Sequence, residues 1–126
     1  MIVEYDIFLG DLKIGVTKLE KADAPMGVVF GIIYGDDNKF EYDFLRNYCI
    51  TRNIEFSEYI EDKWINTYNI PTLHVKDKNL NIIQGLSCSI SGMDSEGFEI
   101  SIFGIAYPLY ETLFTHHVNN YNNLFK

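Results

Sequence analysis

Positive charge is scarce in this chain. Ten Lys and Arg stand against eighteen Asp and Glu over 126 residues, a formal net charge of −8. No basic stripe is visible, and contacts to a nucleic-acid backbone need clustered Lys and Arg, so such a partner is disfavoured. An anionic membrane surface is disfavoured for the same reason. Apolar runs are short as well: none approaches the roughly 20 residues that span a bilayer, and the longest, Val28 to Tyr34, reads as a buried strand. The opening Met1-Ile2-Val3-Glu4-Tyr5-Asp6 lacks the positive and apolar regions of a secretory signal. Only two cysteines are present, Cys49 and Cys88, with neither a zinc spacing nor a disulfide framework. They read as buried free thiols, one on a helix and one in a strand. The expectation is a cytoplasmic, reduced protein.

Nothing divides the chain. It holds no internal repeat, no low-complexity tract and no linker rich in Pro, Gly or Ser, so residues 1–126 read as one domain. Residues 2–9 and Leu12, Ile14, Val16 flank the Gly10-Asp11 turn signal and predict an N-terminal β-hairpin. Lys21 to Pro25 reads as a break, and Gly27–Tyr34 as a third strand. Phe40, Phe44, Leu45, Tyr48 and Cys49 then take helical spacing. Asn38 is placed to cap that helix, with Glu41 completing a capping box, and it ends near Arg52-Asn53.

Residues 54–70 remain ambiguous between a strand through Ile60 and a short helix capped by Ser57. Past Pro71, Thr72–Lys76 and Leu80–Ile83 flank a hairpin turn at Asp77-Lys78-Asn79. A second pair, Leu86–Ser91 and Phe98–Ile105, flanks a Gly92–Gly97 turn. After Tyr107-Pro108, the residues Tyr110, Leu113, Phe114, His117, Val118, Tyr121, Leu124 and Phe125 make the apolar stripe of one C-terminal helix. The expected fold is α+β: antiparallel sheet built from hairpins, with one central and one C-terminal helix.

Catalytic chemistry finds little support. Neither Gly-x-Ser-x-Gly nor a Walker A loop occurs. His116 and His117 are adjacent, so on a helix they point about 100° apart, and neither has a Cys or carboxylate four residues away. They read as a surface and a core-edge histidine, and His74 as a strand histidine. Asp36-Asp37-Asn38 and Asp94-Ser95-Glu96-Gly97 are rich in oxygen but do not follow a calcium-loop pattern; a helix cap and a hairpin turn explain them as well. No metal and no cofactor is expected. A small enzyme with a site built from Cys88, a histidine and a carboxylate is the rival reading, and it requires a pocket with converging polar groups.

One feature rises above this background. Eight carboxylates fall within residues 36–62, where only Lys39, Arg46 and Arg52 oppose them, leaving −5 of the formal −8. Tyr59 and Trp64 lie among these acids, and amphipathic rings in a negative field suit a positively charged protein surface. The candidate binding residues are Asp36, Asp37, Glu41, Glu55, Glu58, Tyr59, Glu61, Asp62 and Trp64. The plain alternative is that the acids only solvate the first helix and the loop after it, and that Trp64 fills core.

Small size, acidity and the absence of a catalytic motif make the chain resemble the immunity proteins of bacterial toxin–immunity systems. The stretch Phe98-Glu99-Ile100-Ser101-Ile102-Phe103-Gly104-Ile105, with Tyr107-Pro108 and His116-His117-Val118 after it, is similar to such families. The resemblance implies a protein that neutralises a cognate toxin domain, such as a basic nuclease, by covering its active site or a neighbouring surface. It transfers no functional residues. An inhibitor from a phage or mobile element that mimics DNA against a host nucleic-acid enzyme predicts the same surface. The oligomeric state is left open.

Overall fold

The computed structural model describes residues 3–35, 40–83, 85–107 and 109–124. Among these residues, ten strands form two antiparallel sheets, with a central helix and two C-terminal ones, an α+β fold. The strands are β1 (Tyr5–Leu9), β2 (Leu12–Thr17), β3 (Lys21–Asp23), β4 (Val28–Ile32), β5 (Tyr34–Gly35), β6 (Phe56–Tyr59), β7 (Trp64–Thr67), β8 (Leu73–Lys76), β9 (Ser87–Met93) and β10 (Gly97–Phe103). The helices are α1 (Tyr42–Thr51), α2 (Leu109–Leu113) and α3 (Thr115–Asn123). Strand order is β5-β2-β1-β8 in the smaller sheet and β3-β4-β10-β9-β7-β6 in the larger.

Alternation in the sequence sets which side of each strand is buried. In β10, Phe98, Ile100 and Ile102 are buried, while Glu99, Ser101 and Phe103 face outward and are partly exposed. The inner side continues through Val29, Ile90 and Ile65, all fully buried. Leu45 and Cys49 of α1 and Ile7, Leu9 and Val75 of the smaller sheet complete one hydrophobic cluster. Burial of such side chains, at about 1.5–3 kcal/mol each, is the main stabilising contribution.

Four local expectations are corrected. The central helix begins at Tyr42, not after Asn38, which lies outside the described residues. Glu41 occupies the cap position in extended backbone but makes no side-chain cap bond. The Tyr42 N–H instead donates to Asp94 Oδ1 at 2.8 Å, so a residue from the β9–β10 turn replaces the local capping box. Lys21 to Pro25 is not a break throughout: β3 pairs with β4 before a 3-10 turn at Ala24–Met26.

Leu80–Ile83 forms no strand and contributes one bridge, Lys76 to Ile82. There the Asp77 carboxylate accepts the N–H groups of Asn79 and Asn81, and that local closure replaces a ladder. The C-terminal helix is two helices, broken at Phe114 (φ −126°, ψ 45°). Phe114 leaves helical backbone where its ring is fully buried among Tyr5, Tyr110 and His117. Packing wins over helical continuity.

The ambiguous stretch resolves into a hairpin. β6 pairs with β7 through Phe56–Thr67, Ser57–Asn66, Glu58–Ile65 and Tyr59–Trp64. Its turn, residues 60–63, is closed by the Lys63 N–H donating to the Ile60 carbonyl, with Lys63 at φ 50°.

Candidate functional site

Strand pairing brings two turns to one end of the larger sheet, and a hydrogen bond adds the first turn of α1. β7 leaves the 60–63 turn and lies against the last residues of β9, with Trp64 opposite Met93. The β9–β10 turn, Asp94-Ser95-Glu96, therefore sits beside the β6–β7 turn. Through its bond to Tyr42, Asp94 also fixes the start of α1 at the same end. These turns and the first turn of α1 carry Glu41, Asp43, Glu61, Asp62, Asp94 and Glu96, all exposed, against Lys63. None of the six carboxylates forms an ion pair among the described residues. Among the described residues, six acids against one amine make a concentrated negative field.

Tyr59 and Trp64 are the ring pair of this end. As directly opposed residues they share one face, with centroids 5.1 Å apart and planes at 33°. Tyr59 and the adjacent Ile60 are each 66% exposed, whereas Trp64 is half-buried. The face they occupy carries Met93, Asn66 and Ser57 beside them. Rings that are rigid yet open to solvent are suited to anchoring a partner.

Two candidates stand elsewhere. Glu55 is exposed but precedes β6, four residues before Tyr59 and so about 13 Å along the strand at its usual rise. Glu58 turns to the inner face. It accepts a hydrogen bond from the Tyr42 hydroxyl, and Arg46 Nε donates to the same Oε1 at 2.8 Å. These contacts tie α1 to β6 and neutralise the charge. The Tyr42 hydroxyl, followed by Arg46, holds the Glu58 carboxyl below the ordinary glutamate value. Burial and then the Glu58 carboxylate push the Tyr42 hydroxyl up. Glu58 is scaffold, not field. Asp36 and Asp37 lie outside the described residues.

A depressed carboxyl contributes stability above its unfolded value, and that contribution is lost as pH falls through the folded value. Glu58→Gln should thus cost about 1 kcal/mol at neutral pH, a modest figure because Arg46 can be resolvated once unpaired. The gap between urea titrations of the two proteins should begin to narrow as pH falls through the ordinary glutamate value of 4.5 and close only below the lower folded value. A gap that persists in acid would mean the loss comes from packing.

Asp43 falls in the acidic stretch but not among the sequence-based candidates, and Asp94 and Glu96 fall in neither. The latter two read as turn formers, and no local signal places them beside Glu61 and Asp62; only the β7–β9 pairing does.

The rival Cys/His site is also now visible. A cleft of about 340 Å³ is lined by Cys88, His74, Asn69 and Ser87 among apolar neighbours. Burial pushes the Cys88 thiol up to about 12 and Cys49 up to about 11, so both stay protonated and weakly nucleophilic at neutral pH. His74 is engaged elsewhere: its Nδ1 lies 3.0 Å from the Thr72 carbonyl and its ring stacks on Phe8. No hydrogen bond joins it to Cys88 among the described residues. His117 is buried, with Nε2 2.8 Å from the Leu19 carbonyl, and burial lowers His116 below its ordinary value. Among the described residues no group of three or more His, Cys, Asp or Glu is placed to hold a metal, and no helix is long and apolar enough to cross a membrane.

No protein-family model matches this chain, and it matches neither a curated protein nor a solved structure.

Proposed function

We propose that this chain is an immunity-type protein that binds and neutralises a positively charged toxin domain, with a nuclease as the favoured target. One observation carries the reading. Six carboxylates that form no ion pair among the described residues converge from two strand turns and the first turn of α1, and the Tyr59–Trp64 ring pair stands next to them. Nuclease sites are basic because they hold phosphate, so an acidic surface can take the substrate's place. The field of Glu41, Asp43, Glu61, Asp62, Asp94 and Glu96 speeds encounter, and Tyr59, Ile60 and Trp64 slow release. The protonated Cys88 thiol and the engaged His74 favour binding over catalysis. Two free cysteines suit a reducing compartment such as the cytoplasm.

The test is capture of partners from native lysate with the tagged chain at low and high salt. A basic toxin-like protein retained most strongly at low salt is the expected result. The variant Glu61→Lys/Asp62→Lys should lose most of that retention while keeping its thermal midpoint, since both side chains are exposed turn residues. A host nucleic-acid enzyme retained in the same way would move the reading to DNA mimicry. Equal retention by the variant would contradict an acidic interface.

A further inference from the structure

The larger sheet ends in an open edge. β6 has β7 on one side, and among the described residues its backbone bonds to nothing else. An edge strand turns the N–H and C=O of every second residue outward, so two of the four residues in Phe56–Tyr59 present unpaired groups.

The other edges are shorter or covered. β3 has three residues and begins with Lys21, and β5 has two. β8 is covered where the Ile83 N–H donates to the Val75 carbonyl at 2.9 Å and Ile82 bridges Lys76. Edges are commonly protected by Lys, Pro, a bulge or an inward charge. β6 has no Lys, no Pro and an unbroken register, and its inward charge, Glu58, is neutralised by Arg46. The edge is left available.

Charge selects its occupant. Along this edge lie exposed Glu55 at one end and exposed Glu61 and Asp62 at the other. A second copy of the chain, itself at −8, would set these acids against their own counterparts in antiparallel pairing. An extended segment bearing Lys or Arg meets opposite charge at both ends, and Tyr59 offers an exposed ring face to a cation. We propose that β6 receives an extended, basic strand of the partner protein, which continues the larger sheet by one strand. This rests on the reading above that the partner is a positively charged protein, and it adds how that partner is held: main-chain pairing gives affinity, and the flanking acids choose the strand.

The experiment uses the full chain, isotope-labelled for amide NMR, and three capped peptides. The first is acetyl-Lys-Val-Lys-Thr-Lys-Val-Lys-Thr-amide. The second keeps every Lys but replaces both Val with Pro, and the third replaces Lys with Glu. The first peptide should shift the amides of Phe56–Tyr59 and slow solvent exchange at the outward-facing ones at least about tenfold. The proline peptide, of equal charge, should bind at least about tenfold more weakly, because Pro cannot donate to a ladder. The Glu peptide should not bind.

Equal binding of the proline peptide, with shifts confined to Glu61, Asp62, Asp94 and Glu96, would overturn strand addition while leaving the acidic-surface reading intact. Failure of both Lys peptides would sink both. Protection of β6 that grows with protein concentration alone would assign the edge to a second copy and also overturn the proposal.

Discussion

Replacing Phe114 with Ala should lower unfolding free energy by about 3–5 kcal/mol, the range for a fully buried aromatic cut back to Cβ. Phe114 is fully buried, and its ring centroid lies 5.4 Å from Tyr110, 5.9 Å from His117 and 6.3 Å from Tyr5. Tyr110 is itself fully buried and donates its hydroxyl to the Val28 carbonyl at 2.9 Å, so the rings around the vacated space cannot easily collapse into it. The loss would be a large share of the 5–15 kcal/mol that holds a typical domain. Urea denaturation followed by Trp64 fluorescence checks it, with Leu124→Ala (75% exposed) as a near-neutral control. A loss under about 1 kcal/mol would mean that α2 and α3 are not docked on the strands. The site is carried by the opposite end of β10 from Ile105 and these helices, so the folded fraction of the variant should bind as the wild type does.

Gly92→Ala should be comparably severe, with a cost of at least about 3 kcal/mol from overpacking and backbone strain together. Gly92 has φ 150° and faces both Phe98 on β10 and Ile65 on β7. A Cβ there would stand 2.2 Å from the Gly97 carbonyl oxygen and 2.7 Å from the Phe98 Cα. Both are backbone atoms, so no rotamer change relieves the collision, and the strands must part. The β9–β10 turn carries Asp94, which caps α1, and β9 supports the β6–β7 hairpin. Loss of stability should therefore come with a changed Trp64 emission in the folded state and with weakened partner binding. Ala at Gly97, where a Cβ meets nothing within 4 Å but φ is 88°, should cost less. If Gly92→Ala proved no worse than Gly97→Ala, the close approach of the two strands would be wrong.

The periodic elements were legible in the sequence because each buries a regular face. The alternation of Phe98, Ile100 and Ile102, and the helical spacing of Leu45 and Cys49, survive in the structure without change. What sequence could not supply was determined by contacts between distant residues. Asp94 caps a helix that starts fifty-two positions earlier. Buried packing of Phe114 breaks a stripe that reads as one helix. The same reason divides the candidate acids. Composition counts Glu58 with Glu61, yet the two-residue period of β6 turns Glu58 inward to Arg46, whereas Glu61 stays in an open turn. Glu96 joins the site only because β9 pairs with β7.

The central claim is that the carboxylates clustered at one end of the larger sheet hold a basic protein. It is tested most directly by the association rate with the captured partner, followed by stopped-flow fluorescence of Trp64 across a range of ionic strength. For the wild type the rate should fall steeply as salt rises, from electrostatic steering. For Glu61→Lys/Asp62→Lys it should start at least about tenfold lower at low salt and depend on salt far less. Equal rates and equal salt slopes for the two proteins would contradict the account.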